Sequence, residues 1–286
     1  MPQILGHLVY RAMKSTKTEQ VLQASAKTRG LHQRWSVLMV PVAILLALLL
    51  WELASRWSGL PAFILPSPGA VFQRFLKAML DGTLIRHSFA TLVEVLGGLA
   101  LGTIFAIIIG YGLAKSRNVE RFLSPYIVAS QSIPIVAIAP LLVIWFGSGR
   151  FSKMLISALI VFFPILITTI VGIRSVPEDL RDLMRSLRAT HWQIFSKLEV
   201  PAAMPVLLGG LKVGATLSVI GAVVGELVGA NVGLGFLINI GRGVYDTTLV
   251  YVAVIALVAL AMSLFSLIVL LERYLLAWRE DSDRGL

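Results

Sequence analysis

The stretch SVPEDLRDLMRSLRATHWQIFSKLEVPAAMP, Ser175–Pro205, is charged and amphipathic, and it sits between two long apolar runs. Ser175 followed by Glu178 has the spacing of a capping box, and Pro177 suits a first helical turn. Leu180, Leu183, Met184 and Leu187 then recur at i, i+3, i+4 and i+7, which is one helical stripe, with Arg181, Asp182 and Arg185 on the opposite face. A second start follows at Thr190 and Gln193, leading into Trp192, Phe195 and Leu198. Pro201 and Pro205 are read as ending this pattern before the next apolar run. The segment thus predicts two short helices forming a knob. Either it folds back on its own bundle, or it lies in the groove of a partner protein; the alternation of charge along it favours the partner.

The flanking sequence sets the class. Of 286 residues 57% are hydrophobic and only 14% charged, with several runs of the roughly 20 apolar residues that span a bilayer as a helix. Mean hydropathy is +0.85, beyond a soluble domain. No alternating pattern of a membrane barrel is present. The expected fold is all-α, a polytopic membrane helix bundle of about six spans: 35–54, 88–114, 123–146, 154–173, 206–230 and 248–271. The organisation expected is a cytoplasmic N-terminal segment 1–34, a transmembrane domain 35–271 carrying the loop 174–205, and a cytoplasmic tail 272–286. Residues 1–34 lack the pattern of a cleavable signal peptide, and Ile4, Leu5, Leu8, Val9 and Ala12 form one face of a surface-lying helix.

Basic residues orient the bundle. Of 25 Lys and Arg, seventeen fall on the side of Ser175–Pro205 and both termini, seven on the other, and Lys212 within a span. That asymmetry places the knob and the termini in the cytoplasm. It also accounts for the net charge of +10 without nucleic acid. With no cysteine there is no disulfide or thiolate chemistry, and His7, His32, His87 and His191 lack metal-ligand spacing. No metal site and no catalytic residue is expected.

Within the spans, three ionisable residues cannot face lipid. Glu94 and Lys212 are read as snorkelling or as interhelical pairs, and Glu226 as a residue that gates or shapes the external mouth. Gly221, Gly225 and Gly229, like Gly98 and Gly102, let backbones approach closely. They either pack helices within one chain or line a seam with a second copy and the translocation path. Pro125, Pro134 and Pro140 predict kinks that bring irregular backbone beside a path. On the external side, Val71, Phe72, Phe75, Leu76 and Met79 predict an interfacial helix, and Asn231–Thr247 a glycine-rich loop with Arg242 and Asp246 as polar contacts.

Asp182-Leu183-Met184, Arg188 and Glu199-Val200-Pro201 resemble the cytoplasmic loop of permease subunits of bacterial ATP-binding-cassette importers, in which Glu-Ala-Ala, a glycine and Ile-x-Leu-Pro stand at those places. The match departs most at Arg188, where glycine serves a left-handed turn; either the local turn differs here, or a docked partner stabilises it. Leu65-Pro66-Ser67-Pro68, Gly82–Ser88, Phe146-Gly147 and Gly233-Leu234-Gly235 after Glu226 resemble the nitrate/sulfonate/taurine branch, which includes riboflavin and thiamine-precursor permeases. The resemblance implies the type I importer permease fold in a bacterial inner membrane. It implies a cytoplasmic ATPase dimer, an extracytoplasmic solute-binding protein and a second permease copy as partners. Leu183, Met184, Leu187, Trp192 and Phe195 would be the docking anchors, with Arg181, Asp182, Arg185 and Arg188 around them. Glu226, Pro134, Pro140, Gly221 and Gly225 are the candidates for the path or gate. No Gly-x-x-x-x-Gly-Lys-Ser/Thr occurs, so no cofactor is expected in this chain and ATP-Mg would be bound by the ATPase. The rival reading is a secondary transporter working without an ATPase, though no clear inverted repeat relates the halves. The solute expected is riboflavin or a thiamine-pyrimidine-like vitamin, or nitrate, sulfonate or taurine. The spans hold no arginine cluster, which leans toward the neutral heteroaromatics.

Overall fold

A computed structural model describes residues 39, 41–61 and 63–277, and they are helical with short connections. The expected surface helix of 1–34, most of the tail 272–286 and the start of the first span lie outside the described residues. The chain divides at Pro68 into two compact units. In the first, helix α1 covers 41–57, and Trp51 Nε1 donates to the Pro66 carbonyl at 3.0 Å, anchoring the turn that follows.

The second unit opens on α2, Pro68–Leu80, the helix expected from the apolar spacing there. Next come α3 (Thr83–Lys115), α4 (Arg117–Gln131), α5 (Ile135–Phe146), α6 (Arg150–Arg174) and α7 (Glu178–Ser186). The chain continues through α8 (His191–Ile194), a π-helical turn Phe195–Glu199, α9 (Val200–Gly229), α10 (Leu234–Gly243) and α11 (Thr247–Leu275). Four of the described helical runs are long and apolar enough to cross a membrane: α3, α6, His191–Gly229 and α11.

The core forms where α3, α6 and α9 meet. Small residues make this possible. A β-carbon on Gly221 would lie 2.5 Å from the Ser157 Cα, and one on Gly225 would lie 2.9 Å from Lys153 Cγ. Gly98 and Gly102 meet Ser157 and Ala158 in the same way from α3. In lipid, such close backbone contact replaces the hydrophobic drive of soluble cores. Ser157 Oγ then bonds the Ser218 carbonyl across the α6–α9 contact at 2.9 Å. Val95, Ala222 and Leu264 join α3, α9 and α11, while Ala106, Val161 and Ile165 join α3 to α6.

The structure departs from the expected spans in three places. The third span, 123–146, is not one kinked helix: α4 and α5 meet at 88° around Ser132–Pro134. Pro134 has no N–H to donate back and caps α5 instead, whereas Pro125 and Pro140 stay inside their helices. Second, Pro201 and Pro205 do not end the helix before the fifth span. Pro201 occupies the first turn of α9, where no intrahelical N–H is required, and Pro205 is accommodated one turn on. Third, Asn231–Thr247 is not merely a loop. It contains α10, whose Leu234 and Leu237 are buried.

Candidate functional site

Two polar constellations stand at opposite ends of the α3–α6–α9 core. The first surrounds the amphipathic knob. The Ser175–Glu178 capping box is not formed: Pro177 occupies the N-cap, and Ser175 Oγ turns back to the Gly172 carbonyl. Pro177 leaves no cap oxygen, so Glu178 pairs with Arg181 instead. The Thr190–Gln193 box forms fully, with both of its reciprocal bonds present.

Between these helices, Arg188 adopts φ +56°. Its amide donates to the Arg185 carbonyl and that of Ala189 to the Met184 carbonyl. This pair of bonds is a Schellman turn, normally closed by glycine. The left-handed turn that glycine serves in the family is therefore kept at this position, borne by an arginine.

The knob's apolar stripe points outward. Leu183 is 54% exposed, Leu187 70% and Trp192 71%. Met184 and Phe195 are half-buried, with Phe195 edge-on to Tyr111 at 5.1 Å between centroids. Asp182 and Arg185 are exposed and pair with each other. Arg181 does not belong to this rim. It turns inward, donating to the Ile173 carbonyl at 2.6 Å and lying 3.3 Å from Glu199.

Glu199 is the residue that sequence reasoning passed over, taking it only as a departure within a motif. It is fully buried and accepts from Tyr111 at 3.0 Å and from Lys115 at 2.5 Å. Its one legible signal was an acid two residues before Pro201, at the start of a span.

At the other end, Glu226 is fully buried and accepts from Thr91 Oγ1 at 2.6 Å and from the Gly235 amide at 2.5 Å. Thr91 Oγ1 also accepts from the Leu234 amide, and His87 Nδ1 lies 3.0 Å from both the amide and the carbonyl of Gly233. The carboxylate, the hydroxyl and the imidazole together hold the Gly233-Leu234-Gly235 backbone that starts α10. Gly233 has φ +128°, and a β-carbon there would run into the Glu226 carboxylate. Glu226 thus secures a turn inside the subunit and does not line an open surface. His87 and Thr91 join it only because α3 carries them one turn apart on the face toward α9 and α10.

Glu94 does not snorkel: it is 1% exposed and faces the Glu226 carboxylate of α9 from α3. Lys212 forms the anticipated interhelical pair, 2.6 Å from Glu272 of α11. Gly221 and Gly225 face α6 rather than a path, so the packing alternative holds for both within this chain. Pro134 stands at the break, where Gln131, Ser132 and Ile133 are exposed, whereas Pro140 lies within α5 and adds no irregular backbone of its own. Asp246 pairs with Arg74 at 3.0 Å and caps α11 through the Leu249 amide; Arg242 is exposed.

Residues 98–277 match the family model described as binding-protein-dependent transport system inner membrane component. A riboflavin transport system permease protein, RibX, of Chloroflexus aurantiacus is 47% identical, over 92% of this chain and 98% of that protein. A formylaminopyrimidine transport permease protein, ThiX, of Halalkalibacterium halodurans is 36% identical, over 82% and 94% respectively. Among solved structures, the inward-facing MetNI methionine ABC transporter superposes with a TM-score of 0.58 at 20% identity. That superposition covers 68% of this chain and 97% of the solved one.

Proposed function

Because the chain belongs to the family of binding-protein-dependent transport system inner-membrane components, as a permease subunit of an ATP-binding-cassette importer, we propose that it carries riboflavin or a related neutral heteroaromatic solute. The observation behind this choice is the 47% identity to a riboflavin permease across nearly the full length of both chains. The lack of an arginine cluster in the spans agrees with it. Nitrate, sulfonate and taurine are the weaker candidates. The secondary transporter gives way, because family membership implies a separate ATPase and a binding protein.

The finer assignments belong to the same proposal. The knob docks into a groove of the ATPase with Leu183, Leu187 and Trp192 as the groups to be covered. Fully burying an exposed leucine is worth about 1.5–3 kcal/mol, and a central tryptophan is a common hot spot. Asp182, Arg185 and Arg188 form the rim, and Met184 and Phe195 support the stripe from below. ATP-Mg is bound by the ATPase, and the knob and both termini lie in the cytoplasm of a bacterial cell.

A second copy of this chain completes the translocation path at the α4–α5 break. Backbone that is free of helix at membrane depth must be covered by protein or face water, and the bend at Pro134 supplies such backbone. In the bilayer, alternation between inward- and outward-open states is then a rigid-body switch whose populations the ligands shift.

The direct experiment is uptake by proteoliposomes containing the permease, its ATPase and its binding protein, with a solute panel titrated into the binding protein. Riboflavin or a pyrimidine analogue saturating uptake supports the reading; taurine or nitrate doing so sinks it. Replacing Leu187 and Trp192 by Asp is expected to abolish ATPase co-purification while leaving the bundle folded.

A further inference from the structure

We infer that Glu199 is a positioning residue through which movement of the docking helix reaches the membrane spans; this rests on α7 and α8 being the ATPase dock. The carboxylate is fully buried at the root of α9, inside the π-helical turn. Its Oε1 meets Lys115 Nζ at 2.5 Å and Arg181 Nε at 3.3 Å, and its Oε2 accepts from the Tyr111 hydroxyl at 3.0 Å. Lys115 and Tyr111 belong to the end of α3, and Arg181 to the docking helix. Arg181 also donates to the Ile173 carbonyl in the last turn of α6. The acid thus ties the dock to α3 and α9, and the arginine it faces adds α6.

The chemistry of the tie matters. An apolar contact between α7 and α3 could slide at little cost. A buried carboxylate cannot leave its cations without standing uncompensated, so these elements shift together. A second link runs parallel to it. Arg174 at the end of α6 pairs with Glu120 of α4 and lies against the Ala114 carbonyl at 3.4 Å. Movement passed into α3 and α6 thereby reaches the helix that leads to the Pro134 break. Beside the tie lies a cavity of about 370 Å³, bordered by Tyr111, Arg181, Arg185, His191 and Ile194. It leaves the docking helix room to tilt while the ion pairs stay closed.

The test uses the full importer in proteoliposomes, measuring ATPase binding, ATP hydrolysis and solute transported per ATP. Glu199→Gln is expected to keep ATPase affinity within about twofold while solute moved per ATP falls about tenfold or more. Glu199→Asp should restore part of the ratio, and Tyr111→Phe, which removes a single bond and spares the fold, should lower it by about threefold. Lys115→Met added to Glu199→Gln should cause no further loss, since both act on one link. An unchanged ratio in Glu199→Gln and Tyr111→Phe overturns the inference. So does a loss of ATPase binding that parallels the loss of transport, which would make Glu199 only a shaper of the dock. If the wild-type permease binds no ATPase, the docking reading itself falls, and the wild-type control shows that separately.

Discussion

Arg188 shows how a single residue can carry a turn that its chemistry disfavours. A non-glycine residue in the left-handed region costs about 1–2 kcal/mol, and here φ is +56°. Arg188→Gly removes that strain, and the extra freedom of glycine in the unfolded chain returns part of it. Slower amide exchange at Ala189, by about fivefold, is the expected result; faster exchange would show that the arginine side chain holds the turn. Glu226 poses the opposite case, since its carboxylate accepts from a hydroxyl and a backbone amide. Glu226→Gln substitutes an amide that can still accept from one partner but presents N–H to the other. The start of α10 should loosen, by about 1–3 kcal/mol for the orphaned buried group. Exchange at Leu234 and Gly235 measures this, and unaltered protection together with unaltered transport would remove Glu226 from any role at the mouth.

Asp246 adds a pH dependence at the same scale. Partial burial acts to raise its pKa, but the hydrogen bonds from Thr248, the Leu249 amide and Arg74 outweigh it and hold the carboxyl below its ordinary value. A depressed folded value stabilises above the unfolded pKa of about 3.9 and is lost as pH falls through the folded value. The melting difference between wild type and Asp246→Asn should stay constant from neutral pH to about 5 and close only below about 4.

At the scale of elements, the departures from expectation share a cause. Apolar periodicity marks a helix but not the partner that its small residues will meet. Gly221 and Gly225 had two readings, packing within one chain or a seam with a second copy beside the path, and the close approach of Ser157 and Lys153 decided for packing. Gly221→Ala places a methyl group 2.5 Å from a backbone atom. The cost should be about 1–3 kcal/mol in overpacking, read as a lower melting temperature in detergent. An unchanged melting temperature would mean that α6 and α9 separate more easily than their contacts indicate. The α4–α5 bend arises similarly: proline spacing predicted a kink, but its size depends on how α5 packs on α6 through Ala139, Leu142 and Ile156.

For the whole molecule, the distribution of lysine and arginine predicts the orientation, and the prediction can be tested cleanly because the chain has no cysteine. Ser186→Cys on the knob and Val244→Cys near the end of α10 both place thiols at exposed positions. A membrane-impermeant maleimide added to intact cells should label Val244→Cys and spare Ser186→Cys; the reverse pattern inverts the topology. Two ends with different polar chemistry then have different tasks. Glu226, Thr91 and His87 clamp a turn, whereas Glu199, Lys115 and Arg181 join the α7–α8 knob to the spans.

Read alone, the amino-acid order determined that the chain is a helical membrane bundle. It determined where an amphipathic knob interrupts that bundle and which side its charges favour, since hydropathy and helical period are properties of neighbouring residues. It also marked Arg188 as anomalous, because backbone preference is local. The tertiary structure decided that Arg181 faces inward, that Glu94 is enclosed, and that His87, Thr91 and Glu226 meet around one glycine turn. It alone brought Glu199 to Tyr111 and Lys115, more than eighty residues away in sequence. Such contacts depend on how α3, α6 and α9 pack, and small-residue packing in a bilayer leaves no periodic trace of which helices it will join.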